Sequence, residues 1–325
     1  MKRNEVSTLR MNSSFWTNNQ CVPSWSDTLS QIWSGSPPRL LEPFPAKRSV
    51  RMPQGCQIRL AVVEDSGAIA EFWGRYFSIS RSCRCAVSKE IILKSIVVAR
   101  WQIIIAVSGD QIVGTVVRRY LKGLHVYEAR WASAGAIDFF CVHPSWRGRG
   151  VGRSLLDTLH NLTSLPMSPM PPHLIFWESV RPSVPPLAGG FFWSRRCGGD
   201  GSALATLVRD KEVIQKAWKD CVKGQNVWTE EPGEEITVWS VGGSNVVVWN
   251  TLHVTVPDGK PIGIVLSDLE SATTLAAAKS YWTILLIPQA SPMAEGEWIF
   301  DSIFQWIGYN LSVGKPSLQF PRIGF

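Results

Sequence analysis

Residues 137–160 read IDFFCVHPSWRGRGVGRSLLDTLH, and few local structures accommodate that order. An apolar run, residues 137–142, passes through Pro144 into a turn with three alternating glycines, Gly148, Gly150 and Gly152. Beyond the turn, Val151, Leu155, Leu156 and Leu159 recur at helical spacing. A strand, a glycine turn and a helix N-terminus in succession build an anion site. Glycine lets the backbone curl closely around a phosphate, and the first helical N–H groups lack partners of their own. A dinucleotide loop requires Gly-x-Gly-x-x-Gly with an acidic residue about 20 positions later. Here the spacing is Gly-x-Gly-x-Gly, preceded by Arg147.

The rest of the chain sets broad limits. With 325 residues, 45% of them hydrophobic and 18% charged, it is long enough for one large domain or two ordinary ones and apolar enough for a true core. The net charge of +7 suits an anionic ligand, but Lys and Arg form no run of five, so no nucleic-acid partner is expected. Seven Cys form no C-x-x-C pair and no zinc-like spacing with His, so no metal is expected. Their odd number, behind a polar start without a signal segment, points to free thiols in the cytoplasm. The longest apolar run near the C-terminus, residues 281–287, falls well short of the ~20 residues a membrane span needs.

Local patterns divide the chain into three. Residues 1–55 form a Pro/Ser/Trp-rich arm whose aromatics, Phe15, Trp16, Trp25 and Trp33, are expected to dock on the body. Residues 56–200 predict a strand at 58–63, helices at 67–78 and from Ser88, and a hairpin of strands 102–107 and 111–118 about Gly109-Asp110. A central strand at 137–142, a phosphate-facing helix at 150–162 and a strand at 173–180 follow. Residues 201–325 predict a helix at 203–220, strands at 236–239, 245–249, 252–256 and 262–266, a helix at 270–280 and a strand at 284–287. This last part has the elements of a second α/β unit without a glycine loop.

The order Val-x-Pro-x-x-Arg-Gly-x-Gly-x-Gly resembles the acyl-CoA pyrophosphate loop of the GNAT acyltransferase superfamily, and β-α-α-β-β-β-α-β is that fold's element order. The resemblance implies an α/β fold with a mixed central sheet flanked by helices. Within the superfamily the layout looks most like an N-myristoyltransferase, whose chain is two GNAT-like halves in tandem, the second degenerate. The landmarks are Phe15-Trp16 before Val22-Pro23, Met52-Pro-Gln-Gly55, the block from Ile137 to His143, the Pro-containing loop from Val180 to Pro186, Phe192-Trp193-Ser194-Arg195, and Tyr309-Asn310. Two features depart from that family: the chain is short, and its loop has the Arg-Gly-Arg-Gly-Val-Gly form of acetyltransferases.

The resemblance implies an enzyme that moves an acyl group from CoA to an amine of a protein or peptide, most like an N-terminal glycine. The donor is myristoyl-CoA or acetyl-CoA as co-substrate, and the protein is expected to be monomeric. Val142, Arg147, Gly148, Arg149, Gly150, Val151 and Gly152 would hold the CoA, with Phe15 and Trp16 against the acyl chain. The backbone N–H groups of Phe139 and Phe140 would form the oxyanion hole, which requires the strand to open locally. The base would be the terminal carboxylate of Phe325, or Glu178 in a simple acetyltransferase. An inactive module that binds CoA or a peptide is the third reading.

Overall fold

The computed structural model describes residues 22–77, 84–85, 87–99, 101–164, 170–178, 184–198, 204–255, 261–278, 282, 284–289, 297–314, 317 and 319–322. The first part of the chain supplies β1 (Gln57–Leu60), β2 (Arg84–Cys85), β3 (Trp101–Ser108), β4 (Gln111–Val126), β5 (Ala129–Val142), β6 (His173–Glu178) and β7 (Ala188–Arg196). The second part supplies β8 (Thr206–Leu207), β9 (Val227–Thr229), β10 (Ile236–Val241), β11 (Ser244–Thr255), β12 (Pro261–Val265), β13 (Ile284–Gln289) and β14 (Ile299–Tyr309). The helices are α1 (Trp25–Ser34), α2 (Ser66–Tyr76), α3 (Lys89–Val97), α4 (Val151–Thr163), α5 (Lys211–Val222) and α6 (Leu269–Ala277). The described strands join one 14-stranded mixed sheet in the order β1-β3-β4-β5-β6-β14-β7-β13-β12-β11-β10-β8, with β2 paired to β11 and β9 to β4.

One topology occurs twice in that sheet. β3, β4 and β5 form an antiparallel meander, α4 crosses over, and β6 returns parallel to β5. β10, β11 and β12 form a second meander, α6 crosses over, and β13 returns parallel to β12. The closing strands are exchanged: β7 pairs with β13, β14 pairs with β6, and β7 and β14 pair with each other. This is the expected GNAT arrangement with a second, GNAT-like half, and the exchange welds the halves through backbone hydrogen bonds.

Period-two patterning explains the layering of the first half. On β3, Ile103 and Ile105 face the helices α2 and α3 with Trp73 and Ile92, while Ile104 and Ala106 face α4 with Leu155 and Leu159. Full burial of each such aliphatic side chain stabilises the fold by roughly 1.5–3 kcal/mol. In the second half, Val246 and Val248 pack on α6, and Val247 and Trp249 pack with Trp218 of α5.

Several expected elements have different bounds. β4 and β5 are far longer than 111–118 and 137–142, because the mixed stretch between those runs continues as a hairpin and gains β9 as a further partner. The expected helix 203–220 begins only at Lys211, since Asp210 caps it through the Glu212 N–H at 2.8 Å. The two strands expected at 245–249 and 252–256 are one, β11. Residues 22–55 are strapped to the body. α1 opens with a Ser24/Asp27 capping box, and its Gln31 accepts the Ser312 hydroxyl at 2.7 Å. Trp25 and Trp33, however, do not dock: they are 48% and 88% exposed, because the helix turns the polar Thr28 and Gln31 inward instead. Among the described residues no helix is long and apolar enough to cross a membrane.

Candidate active site

The site begins where β5 and β6 part. They pair only at Gly135, Ala136 and Ile137, opposite His173, Leu174 and Ile175. β6 then continues against β14 as far as Glu178, while among the described residues β5 runs on to Val142 paired with β4 alone. The two strands thus form the walls of an opening. Its β5 wall carries a bulge: the register jumps from Val117–Asp138 to Thr115–Cys141, so Phe139 and Phe140 together oppose Val116.

Phe139 adopts φ +46°, a left-handed conformation that costs a bulky residue on the order of 1–3 kcal/mol and persists only where its surroundings enforce it. They do so from three directions. Its ring stacks on Trp73 with centroids 4.1 Å apart. Its carbonyl accepts the Thr115 hydroxyl at 2.8 Å, and that hydroxyl accepts the Trp73 indole N–H at 2.9 Å. Its N–H donates to Asp138 Oδ1 at 2.7 Å. Beneath the bulge, burial pushes the Cys141 thiol up to about 12, so it serves as an inert core group.

The glycine turn follows at the mouth of the opening. Gly148 and Gly150 have φ of +76° and +90°, and a Cβ built on either meets nothing within 4 Å. The glycines therefore answer to backbone conformation and to the space in front of the turn. Gly150 caps α4 without any side-chain hydrogen bond, so the helix dipole and first N–H groups face that space. Arg147 anchors the turn through its Nε, 3.1 Å from the Val142 carbonyl, and the Arg149 guanidinium lies 5.1 Å from the centre of the Trp146 ring. His143 braces the approach, with Nε2 3.0 Å from the Tyr76 hydroxyl and Nδ1 accepting the Ser145 N–H at 3.2 Å. Val151 points its side chain into the core, leaving only its backbone to the turn.

The N-terminal strap holds α4 from outside. Asn161 exchanges two hydrogen bonds with the Arg48 backbone at 2.7 and 2.8 Å, and the Ser154 hydroxyl donates to the Arg51 carbonyl at 2.5 Å. Farther along α4, His160 meets the Tyr309 hydroxyl at 3.2 Å. Burial, followed by the neighbouring Arg48, holds its pKa below the ordinary histidine value. Burial holds His173 well below that value too, and its Nε2 accepts the Arg118 Nε–H at 2.8 Å.

The structure thus brings Phe139, Phe140, Val142 and residues 147–152 together along one wall and its rim. The Glu178 backbone lies at the end of β6, opposite Phe304 on β14, and its side chain is outside the described residues. Phe15, Trp16 and Phe325 also lie outside them. Before that limit the C-terminal tail buries Phe320 among Phe192, Phe304 and Trp306, then bridges β9 in parallel at Arg322. β9 in turn runs antiparallel to β4, from Val126 toward Leu124. The sequence reading missed the groups behind the bulge: Thr115, Asp138, Arg119 and Glu235. Asp138 stood inside the quoted block; Arg119 and Glu235 lie far apart in the chain and carry no local pattern.

Over residues 99–173 the sequence matches the family model of the acetyltransferase (GNAT) domain. Two crystal structures of Saccharomyces cerevisiae N-myristoyltransferase with bound myristoyl-CoA share the fold. One has a TM-score of 0.63 at 11% identity, covering 93% of this chain and 94% of that one. The other has a TM-score of 0.64 at 10% identity, covering 96% and 91%. No curated protein sequence matches the chain. The match makes residues 99–173 a GNAT acetyltransferase domain. Over the whole chain the two-half fold is shared with those two N-myristoyltransferase structures.

Proposed function

We propose that the protein transfers an acyl group from acyl-CoA to a protein or peptide amine, most like an N-terminal glycine. The observation that carries this reading is the uncapped glycine turn at the rim of the opening between β5 and β6. The amides of residues 148–152, with Arg147 and Arg149, would hold the pyrophosphate. The thioester would then lie along the β5 wall, with its carbonyl at the bulge. The N–H groups of Phe139 and Phe140 would form the oxyanion hole, and the Asp138 bond to the Phe139 N–H sets the conformation from which the Phe140 amide points. The amine nitrogen bonds to the acyl carbon, the C–S bond breaks, and CoA leaves as its thiolate. A carboxylate takes the amine proton and passes it to that sulfur.

The course of the tail supports the Phe325 carboxylate as that base, and a place on the opposite wall keeps Glu178 as the alternative. Phe15 and Trp16 are the proposed contacts for a long acyl chain. The acetyltransferase form of the turn favours a second reading, with acetyl-CoA as donor. Thermal shifts with CoA, acetyl-CoA and myristoyl-CoA, followed by transfer to a glycine-headed peptide, separate the two. Myristoyl-CoA should stabilise the protein most, because each buried CH₂ adds roughly 0.8 kcal/mol. Equal shifts from acetyl- and myristoyl-CoA favour the short donor, and a shift from CoA without turnover leaves a binding module.

A further inference from the structure

One chain of contacts runs from the second half of the molecule to the bulge in the first. The Trp249 indole on β11 donates to Glu235 Oε2 at 3.0 Å, and Glu235 sits in the turn that leads into β10. Glu235 Oε1 accepts one arm of Arg119 on β4 at 2.7 Å. The other arm reaches Asp138 Oδ2 at 2.8 Å, and Asp138 Oδ1 accepts the Phe139 N–H at 2.7 Å. The Arg119 guanidinium also lies over the rings of Trp101 and Phe139, 4.7 and 5.2 Å from their centres. Arg119 is 4% exposed and Glu235 9%.

We propose that Arg119, Glu235 and Asp138 form a positioning relay through which the second half sets the oxyanion strand of the first. The inference rests on the acyl-transfer reading and adds these residues to it. A buried ion triad is a poor source of net stability, because desolvation offsets most of its Coulombic gain. It is a good source of directional constraint. The guanidinium fork fixes the relative placement of two carboxylates, which a Lys ammonium, a single point of charge, does not. Asp138 turns that constraint into backbone geometry, since its hydrogen bond holds Phe139 left-handed and so aims the next amide, Phe140. None of the three residues touches the acyl group. They act through the amide of Phe140, and the second half of the molecule thereby bears on the carbonyl-binding strand.

The test pairs turnover with amide exchange. Asp138→Ala should lower kcat about a hundredfold, the scale of a misplaced oxyanion donor, with KM for acyl-CoA changed less than about twofold. Asp138→Asn, which keeps an acceptor for the Phe139 N–H, should recover kcat to within about tenfold. Glu235→Leu, in the other half, should lower kcat about tenfold and add nothing to Asp138→Ala in the double variant. Hydrogen exchange at the Phe139 amide should rise about tenfold in Glu235→Leu, as expected for a weakened hydrogen bond, while the Ile104 amide stays protected. If Glu235→Leu does not fold, Glu235→Gln, which removes only the charge, is measured in the same way. Additive losses in kcat, or unchanged exchange at Phe139, would overturn the relay. Wild-type protein that transfers no acyl group would refute the functional reading, and the exchange measurement would still decide whether the relay exists.

Discussion

The two halves share a topology and differ in what precedes the crossover helix. In the first half, residues 143–150 separate β5 from α4, two of them left-handed glycines, and α4 starts with no side-chain cap. In the second, residues 266–268 separate β12 from α6, and Asp268 caps the helix by accepting the Ser271 N–H at 2.7 Å. One helix N-terminus is open to an external anion; the other already holds an internal one. The strands differ in the same sense. β5 runs five residues past its last pair with β6, whereas β12 ends at Val265, one residue beyond its last pair with β13. The two copies of one fold thus differ in their turn and strand, and a longer turn and a longer strand make the first copy the candidate site.

The largest effect expected concerns whether the second half contributes chemistry through the tail. If Phe325 supplies the base, two glycines added after it move the carboxylate by up to ~3.5 Å per residue. Turnover should then fall by about 10²–10⁴-fold with acyl-CoA binding retained, while Phe325→Leu is tolerated and Glu178→Gln costs little. Normal turnover of the extended chain beside a dead Glu178→Gln enzyme would return the base to the first half.

The next largest concerns the turn. A branched side chain at Gly150 resists φ +90° and fills the space in front of the helix. Gly150→Val should weaken CoA binding by at least about a hundredfold, ~2.7 kcal/mol, in a protein whose circular dichroism is unchanged. Unaltered affinity by calorimetry would mean that the open N-terminus is not the phosphate site.

Acid should separate the halves as well. His160 and His173 both lie in the first half and are buried with pKa below the ordinary 6.5. Below that value the unfolded chain takes up protons that the folded chain refuses, so stability falls as pH drops from 7 toward 5. The slope is at most ~1.4 kcal/mol per pH unit from the fully buried His173, less from His160. Asp268 is lowered instead, by the Ser271 N–H, so its contribution is complete above the usual carboxylate value and fades only as pH falls through its lower folded one. Amide exchange at pH 5 should therefore loosen α4 before α6; loosening in the reverse order would contradict this assignment. The smallest effect is that of the cap itself. Asp268→Ala should cost ~1 kcal/mol in denaturant unfolding and leave CoA affinity untouched. A loss of CoA binding would show that the second copy also reaches the site.

The sequence by itself determined what is local. The glycine turn, Pro144 and the helical recurrence of Leu155, Leu156 and Leu159 lie within a few residues of one another, so short-range sterics and patterning suffice to place turn and helix. The β3–β4 hairpin was legible for the same reason, with Gly109 in the left-handed region at φ +56°. The full length of β4 and β5 was not, because residues 119–136 mix charged residues and Gly with the apolar ones and are held as strand by pairing with each other and with β9. β7 and β14 carried no prediction, since each finds its partners in the opposite half. The cost of exposing aromatics also failed to predict burial for Trp25 and Trp33. α1 is seated by polar bonds from Gln31 to a loop 281 residues away. Tertiary structure alone decided the state of Phe139. Its left-handed turn depends on Trp73, Thr115 and Asp138, and Asp138 in turn on Arg119 and Glu235, 116 residues apart. Pairs that distant meet only after the sheet has formed, because loop closure must come before their contact contributes anything.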